Sequence, residues 1–303
     1  MEEQAKKNKL NKKIKQMKIF QVPYTSKENK DTVKFLSNTK LSKEEIINQA
    51  IEFHLKGNIL EATKYYEYCI KKGYSNSIIF ANYGTILLDL GKIKDAESYM
   101  RKAIKVDPSC AEAHVNLGKI LDDLGKSKEA EFSTRKAINM KPDYANAHSN
   151  LGSILRNLGK LKEAEKSIRQ AIKLNQNSAE FHSNLGGILI DLGKIKEAEM
   201  STRKAIQLNP NLADAHNNLG NIFKNLGNLK EAELSTRKAI DIQPNFAGAH
   251  NNLGIILKDR GNFIEAEIAL RKAIQIKPMF AESYNNLGNV FRDLGKYRDA
   301  IKF

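Results

Sequence analysis

The sequence has no tryptophan, and aromatic residues make up only 7% of its 303 positions. Large aromatic side chains dominate thick cores, so their scarcity points to thin helical layers instead. Cysteine occurs twice, as Cys69 and Cys110, without the spacing of a metal site. Two unpatterned thiols exclude a disulfide framework and favour a reducing compartment, so the expected address is cytoplasmic. No apolar run approaches the roughly 18 residues that a membrane helix needs. The N-terminus is basic, yet no apolar stretch of roughly 7–15 residues follows it, which argues against a secretory signal.

What the chain does have is repetition. The stretch Ala213–Phe246, ADAHNNLGNIFKNLGNLKEAELSTRKAIDIQPNF, recurs in close variants 34 residues upstream and 34 residues downstream. A fixed period of this length marks stacked helical units, each covering the apolar face of its neighbour. Within the unit, Leu219, Ile222, Phe223 and Leu226 stand at helical spacing. A second apolar series follows the break at Gly227-Asn228, formed by Leu229, Ala232, Ala239, Ile240 and Ile242. Pro244 closes the unit, because proline cannot continue a helix and biases its predecessor away from helical geometry. The unit therefore reads as helix, tight glycine turn, helix.

Leu219-Gly220, Gly227, Ala232, Ala239 and Pro244 fall on the tetratricopeptide pattern, and the chain resembles that family. Seven full units begin at Lys43, Ser77, Ala111, Ala145, Ala179, Ala213 and Ala247, and a partial eighth begins at Ala281. The array so defined covers residues 43–303. The resemblance implies an all-α fold, a right-handed superhelical solenoid of antiparallel helix pairs. Two departures stand out. The family's bulky fourth residue is histidine in five units (His114, His148, His182, His216 and His250), and Gln176 replaces the late proline of one unit. The first unit is the least regular, with Ala50 in a glycine slot and Tyr65, Tyr66 and Tyr68 crowding its second helix. Cys69 takes the slot that Ala103 and Ala137 fill later, a packed thiol rather than a reactive one.

The formal net charge is +15, and residues 1–40 hold eleven lysines against three glutamates and one aspartate. This segment is expected to be a flexible basic arm, reaching to the array at residue 42, because it cannot bury enough apolar area to offset its ordering entropy. Contact with a polyanion or a membrane surface is the role such an arm suggests. Later units carry Glu and Arg four residues apart in the second helix: Glu97–Arg101, Glu131–Arg135, Glu165–Arg169, Glu199–Arg203, Glu233–Arg237 and Glu267–Arg271. These read as helix support, at roughly 0.2–0.5 kcal/mol per pair.

The polar signal that asks for a function is asparagine. Asn48, Asn82, Asn116, Asn150, Asn184, Asn218, Asn252 and Asn286 occupy the sixth position of every unit, although asparagine is a mediocre helix former. Seven residues on, Asp89, Asp123, Asn157, Asp191, Asn225, Asp259 and Asp293 share their helical face. Family resemblance places that face in a concave groove. The array also looks like the superhelix of O-linked N-acetylglucosamine transferases, where an asparagine ladder holds an extended polypeptide by its main chain. A carboxamide carries donor and acceptor together, which suits a peptide unit. The expected peptide-binding residues are Asn82, Asn116, Asn150, Asn184, Asn218, Asn252 and Asn286, enriched toward the C-terminal half by Asn217, Asn221, Asn251, Asn285 and Asn289.

Other chemistries find little support. Histidines on successive stacked helices stand roughly 8–10 Å apart, too far to share one zinc at about 2.0–2.1 Å per ligand. Gly125-Lys126-Ser127 resembles the end of a phosphate loop, but the earlier glycine that motif requires is Ile120. No catalytic set stands apart from the repeat, so the expectation is a non-enzymatic scaffold for protein or peptide partners, without cofactor or small-molecule substrate. The alternative is the substrate-presenting arm of a larger transferase. The chain stops inside the eighth unit's second helix, at Phe303. It is therefore expected to be part of a longer form, or to leave an open face for docking or self-association.

Overall fold

A computed structural model describes residues 41–295. The expected basic arm, and residues 296–303 of the eighth unit, lie outside the described residues. Fifteen helices and no strand occur among the described residues, and every first helix of a pair begins at the residue that opens its sequence repeat. The chain divides into two compact units, one ending at Pro142 and the other beginning at Asp143.

In the first unit the helices are α1 (Lys43–Leu55), α2 (Ile59–Lys71), α3 (Ser77–Asp89), α4 (Ile93–Val106), α5 (Ala111–Asp123) and α6 (Ser127–Met140). The first pair is anchored by aromatics, with Tyr65 and Tyr66 fully buried and Phe53 packed against Tyr65 at a ring separation of 5.2 Å. Ser42 opens α1 with a reciprocal capping box to Glu45. The second unit holds α7 (Ala145–Asn157), α8 (Leu161–Leu174), α9 (Ala179–Asp191), α10 (Ile195–Leu208), α11 (Ala213–Asn225), α12 (Leu229–Ile242), α13 (Ala247–Asp259), α14 (Phe263–Ile276) and α15 (Ala281–Asp293). Here the two helices of each pair pack closely, and successive first helices (α7, α9, α11, α13, α15) also touch one another.

Each turn inside a pair is built the same way. Gly193 ends α9 with a φ of 71°, the left-handed conformation that glycine adopts without steric cost. Gly193 N–H then donates to Ile190 C=O, and Lys194 N–H to Leu189 C=O. These two bonds are the Schellman arrangement that satisfies the orphan carbonyls of a helix end. The carbonyl of Lys194 accepts from Ala198 N–H at once, so α10 starts without a loop.

A different glycine sets the helix separation. A Cβ on Gly186 would run into Oγ1 of Thr202, and one on Gly254 would meet Cγ of Leu270 at 2.5 Å. The eighth-position glycine is thus the contact surface for its partner helix. Fully buried alanines complete the fit, among them Ala164, Ala171, Ala198 and Ala205. Small residues let the backbones approach, and the isoleucines and leucines between them supply the apolar burial.

Candidate functional site

In the second unit the sixth-position asparagines are half-buried, and from Asn184 onward their amide nitrogens are tied to the preceding repeat. Asn184 Nδ2 donates to Ser149 Oγ at 3.2 Å. Asn218 Nδ2 donates to Ser183 C=O at 3.0 Å and to its Oγ at 3.3 Å. Asn252 Nδ2 donates to Asn217 Oδ1 at 2.9 Å, and Asn286 Nδ2 to Asn251 Oδ1 at 3.1 Å. Among the described residues no protein group donates to the carboxamide oxygens of these four, so each keeps an acceptor available.

The other members of the series sit differently. Asn150 is half-buried on α7, and Asn48 is half-buried on α1. Asn116 is half-buried and donates to Thr85 Oγ1 at 3.3 Å. Asn82 is buried, and its amide donates to the Tyr66 hydroxyl at 3.0 Å, which turns it toward the aromatic core of the first pair. The enriching asparagines also divide. Asn217 and Asn251 are buried beneath the rungs, Asn221 and Asn289 are half-buried, and Asn285 is exposed.

The residues seven positions after the rungs are all exposed. Asp191 receives Arg156 in a forked pair, Nε to Oδ2 at 2.5 Å and Nη2 to Oδ1 at 3.2 Å. Gly187 makes room for this reach, since a Cβ there would lie 2.7 Å from Arg156 Nη1. In the first unit, Asp89 and Asp123 touch solvent, yet the surrounding protein desolvates both carboxyls and raises them above the usual range. The charge of Lys119 opposes that rise in both, and for Asp123 the neighbouring charge of Asp122 adds to it.

Three of the histidines in the second unit act as turn staples. His182 Nε2 lies 3.0 Å from Gln176 C=O, His216 Nε2 2.8 Å from Pro210 C=O, and His250 Nε2 2.9 Å from Pro244 C=O. Tyr284 does the same through its hydroxyl, donating to Pro278 C=O at 3.0 Å. In these four repeats the fourth residue therefore ties the first turn of its helix to the loop before it. That loop is held even where Gln176 stands in place of proline. Among the described residues no group of three or more His, Cys, Asp or Glu could hold a metal ion. No helix among them is long and apolar enough to cross a membrane.

The Glu–Arg pairs do more than support single helices. Glu165 accepts from Arg169 within α8 and from Lys194 of the next repeat, while Arg169 reaches on to Glu197. Glu97, Arg101, Lys126 and Glu129 repeat this lattice in the first unit. Glu233 takes Arg237 and Arg260 together, and Arg237 reaches Glu265. The sequence by itself displays only the four-residue spacing. The partners nearly one repeat away became visible once the repeats were stacked.

Family models described as tetratricopeptide repeat match residues 83–145, 145–178, 213–246, 236–268 and 280–303, and a model described as TPR repeat matches 186–227. Together these matches span well over half of the chain. The chain belongs to the tetratricopeptide repeat family. Repeats of this family build protein–protein interaction scaffolds, and the all-α array of helix pairs is the fold that the solved relatives share. A chain in the crystal structure of the APC/C hetero-tetramer Cut9-Hcn1 superposes with a TM-score of 0.68 at 17% identity. That match covers 86% of this chain and 51% of the other, so this chain spans about half the length of that relative. A tetratricopeptide repeat protein from Parabacteroides merdae gives a TM-score of 0.66 at 17% identity, over 82% of this chain and 98% of its own. A thermophilic TPR protein in Thermus thermophilus gives 0.54 at 22% identity, over 60% and 98%. At these identities the likeness is one of fold. No curated protein matches the sequence.

Proposed function

We propose that this tetratricopeptide array is an interaction scaffold that grips an extended polypeptide segment of a protein partner along its first-helix face. The observation that carries the reading is the state of Asn184, Asn218, Asn252 and Asn286. Each has its amide nitrogen tied to the preceding repeat and a free carboxamide oxygen on a half-buried side chain. Such a group accepts from a peptide N–H, and Asn184, Asn252 and Asn286, whose nitrogens make one bond each, retain a second N–H for a peptide C=O. Asn150 precedes these four in the second unit, and Asn116 holds the same repeat position in the first. Asn82, facing Tyr66, contributes least. Contacts of this kind hold a main chain with little regard for side chains, so the scaffold selects shape before sequence.

The test is a variant with Asn184, Asn218, Asn252 and Asn286 all replaced by alanine. Twelve-residue peptides enriched from a random display library against the wild-type protein serve as probes, read by fluorescence anisotropy. Each hydrogen bond contributes about 0.5–1.5 kcal/mol net, so four rungs predict a loss of roughly 30-fold to 10⁴-fold in affinity. Circular dichroism should show unchanged helicity. Undiminished binding by the folded quadruple variant would falsify the reading.

A further inference from the structure

Four rungs of the second unit, Asn184, Asn218, Asn252 and Asn286, all turn their amide nitrogens the same way, each to an acceptor one position earlier in the preceding first helix. The acceptors are Ser149, Ser183, Asn217 and Asn251, all of them buried. Asn218 is locked by the main-chain oxygen of Ser183, which can only accept. Asn286 Nδ2 donates to Asn251 Oδ1, and that oxygen also accepts from Ser283 Oγ at 2.9 Å. The nitrogen of each rung thus points to the preceding repeat, and the free oxygen repeats in register from helix to helix.

A row of identical, identically oriented rungs asks for a ligand whose peptide groups also repeat in register. Packed helices lie roughly 8–10 Å apart. A β-strand turns its peptide groups over with a period of two residues, about 6.6 Å at 3.3 Å per residue, and so presents the wrong spacing. A polyproline II segment has three residues per turn at about 3.1 Å each, a repeat of about 9 Å, and makes no internal hydrogen bonds. Resting on the scaffold reading above, we infer that the bound segment is a polyproline II helix offering one N–H per turn. We further infer that Ser183 and Asn251 are positioning residues for that recognition. Proline is welcome at two positions in three and excluded from the third, because it has no N–H to give to the rung.

Three synthetic peptides test this on the whole chain: (Ala-Pro-Pro)5, which offers an N–H every third residue; (Ala-Pro)7, every second; and a fifteen-residue polyproline, which offers none along its interior. Binding is followed through the side-chain ¹⁵N–¹H2 signals of the rung asparagines. The expected order has (Ala-Pro-Pro)5 at least about tenfold tighter than the other two. Asn251→Ala should move the Asn286 side-chain signals and weaken (Ala-Pro-Pro)5 by at least about threefold. Asn251→Ser, which restores a hydroxyl acceptor like that of Ser149, should recover both. Equal binding of the three peptides overturns the inference, as does an Asn286 signal indifferent to Asn251→Ala. If library peptides bind and depend on the rungs while (Ala-Pro-Pro)5 does not bind, the inference falls and the scaffold reading stands. If neither binds, both fall.

Discussion

Lys194 reaches back from the start of one repeat to Glu165 of the repeat before it, its Nζ 2.9 Å from Oε2. Arg169 holds the same carboxylate from within its own helix, and the Glu165 side chain is only 14% exposed. The hydrogen bond from Lys194 holds the carboxyl below the usual glutamate range; burial opposes this, and Arg169 adds to it. A group whose folded-state pKa is depressed lends stability that is complete above its unfolded value and is lost as pH falls through the folded one. The array should therefore lose thermal stability on acidification below about pH 4.5, near the ordinary glutamate pKa. Glu165→Gln should flatten that loss. Melting curves from pH 7 to pH 3 check it, and parallel curves for the two proteins would count against the lattice.

Thr202 presents a second opportunity. Among the described residues its buried hydroxyl has no hydrogen-bond partner, whereas Thr236 at the equivalent place donates to Ala232 C=O at 2.9 Å. An unsatisfied buried hydroxyl costs about 1–3 kcal/mol. Thr202→Val keeps the shape and should raise stability by about 1 kcal/mol, while Thr236→Val should lower it or leave it unchanged. Urea melts of the two variants decide between these outcomes, and equal shifts would refute the distinction.

The fold was legible because its causes are local and repeated. Gly193 and its counterparts announce the turn, and the eighth-position glycine announces the close approach of the pair. The row of asparagines was legible too, but its internal order was not. Nothing in the sequence says that Asn286 leans on Asn251, because that contact joins residues 35 apart and depends on stacking geometry. The same holds for Lys194 and Glu165. Asn82 shows the opposite case: its repeat position is regular, but Tyr66 in the atypical first pair captures its amide. The histidines signalled a departure from the family pattern, and only the turn carbonyls beside them revealed its purpose.

Two adjacent glycines should respond in opposite ways. The Cβ of Gly186→Ala would strike Thr202 of the partner helix, an overpacking that costs about 1–3 kcal/mol. The Cβ of Gly187→Ala would meet the guanidinium of Arg156, the far end of a flexible side chain. That variant should fold almost normally but swing Arg156 away from Asp191. Exposed ion pairs contribute at most about 1 kcal/mol, so its melting temperature should barely change. Thermal melts of both variants test the contrast, and a Gly187→Ala protein as damaged as Gly186→Ala would contradict it.

The fourth-position residue offers the most specific test of how neighbouring elements are joined. His216 ties its helix to the loop through Pro210 C=O, and Tyr284 makes the corresponding bond to Pro278 C=O with a different side chain. If the bond is what matters, His216→Tyr should be tolerated, because a phenol hydroxyl reaches the same carbonyl from the same helical position. His216→Phe keeps a ring of similar bulk but removes the donor, leaving Pro210 C=O to water. Since Pro210 is exposed, that carbonyl can be resolvated, and the loss should stay near the net value of one hydrogen bond, about 0.5–1.5 kcal/mol. Hydrogen exchange of the first amides of α11 should then quicken in His216→Phe and stay slow in His216→Tyr. Equal exchange in the two variants would show that ring volume, and not the hydrogen bond, holds the turn.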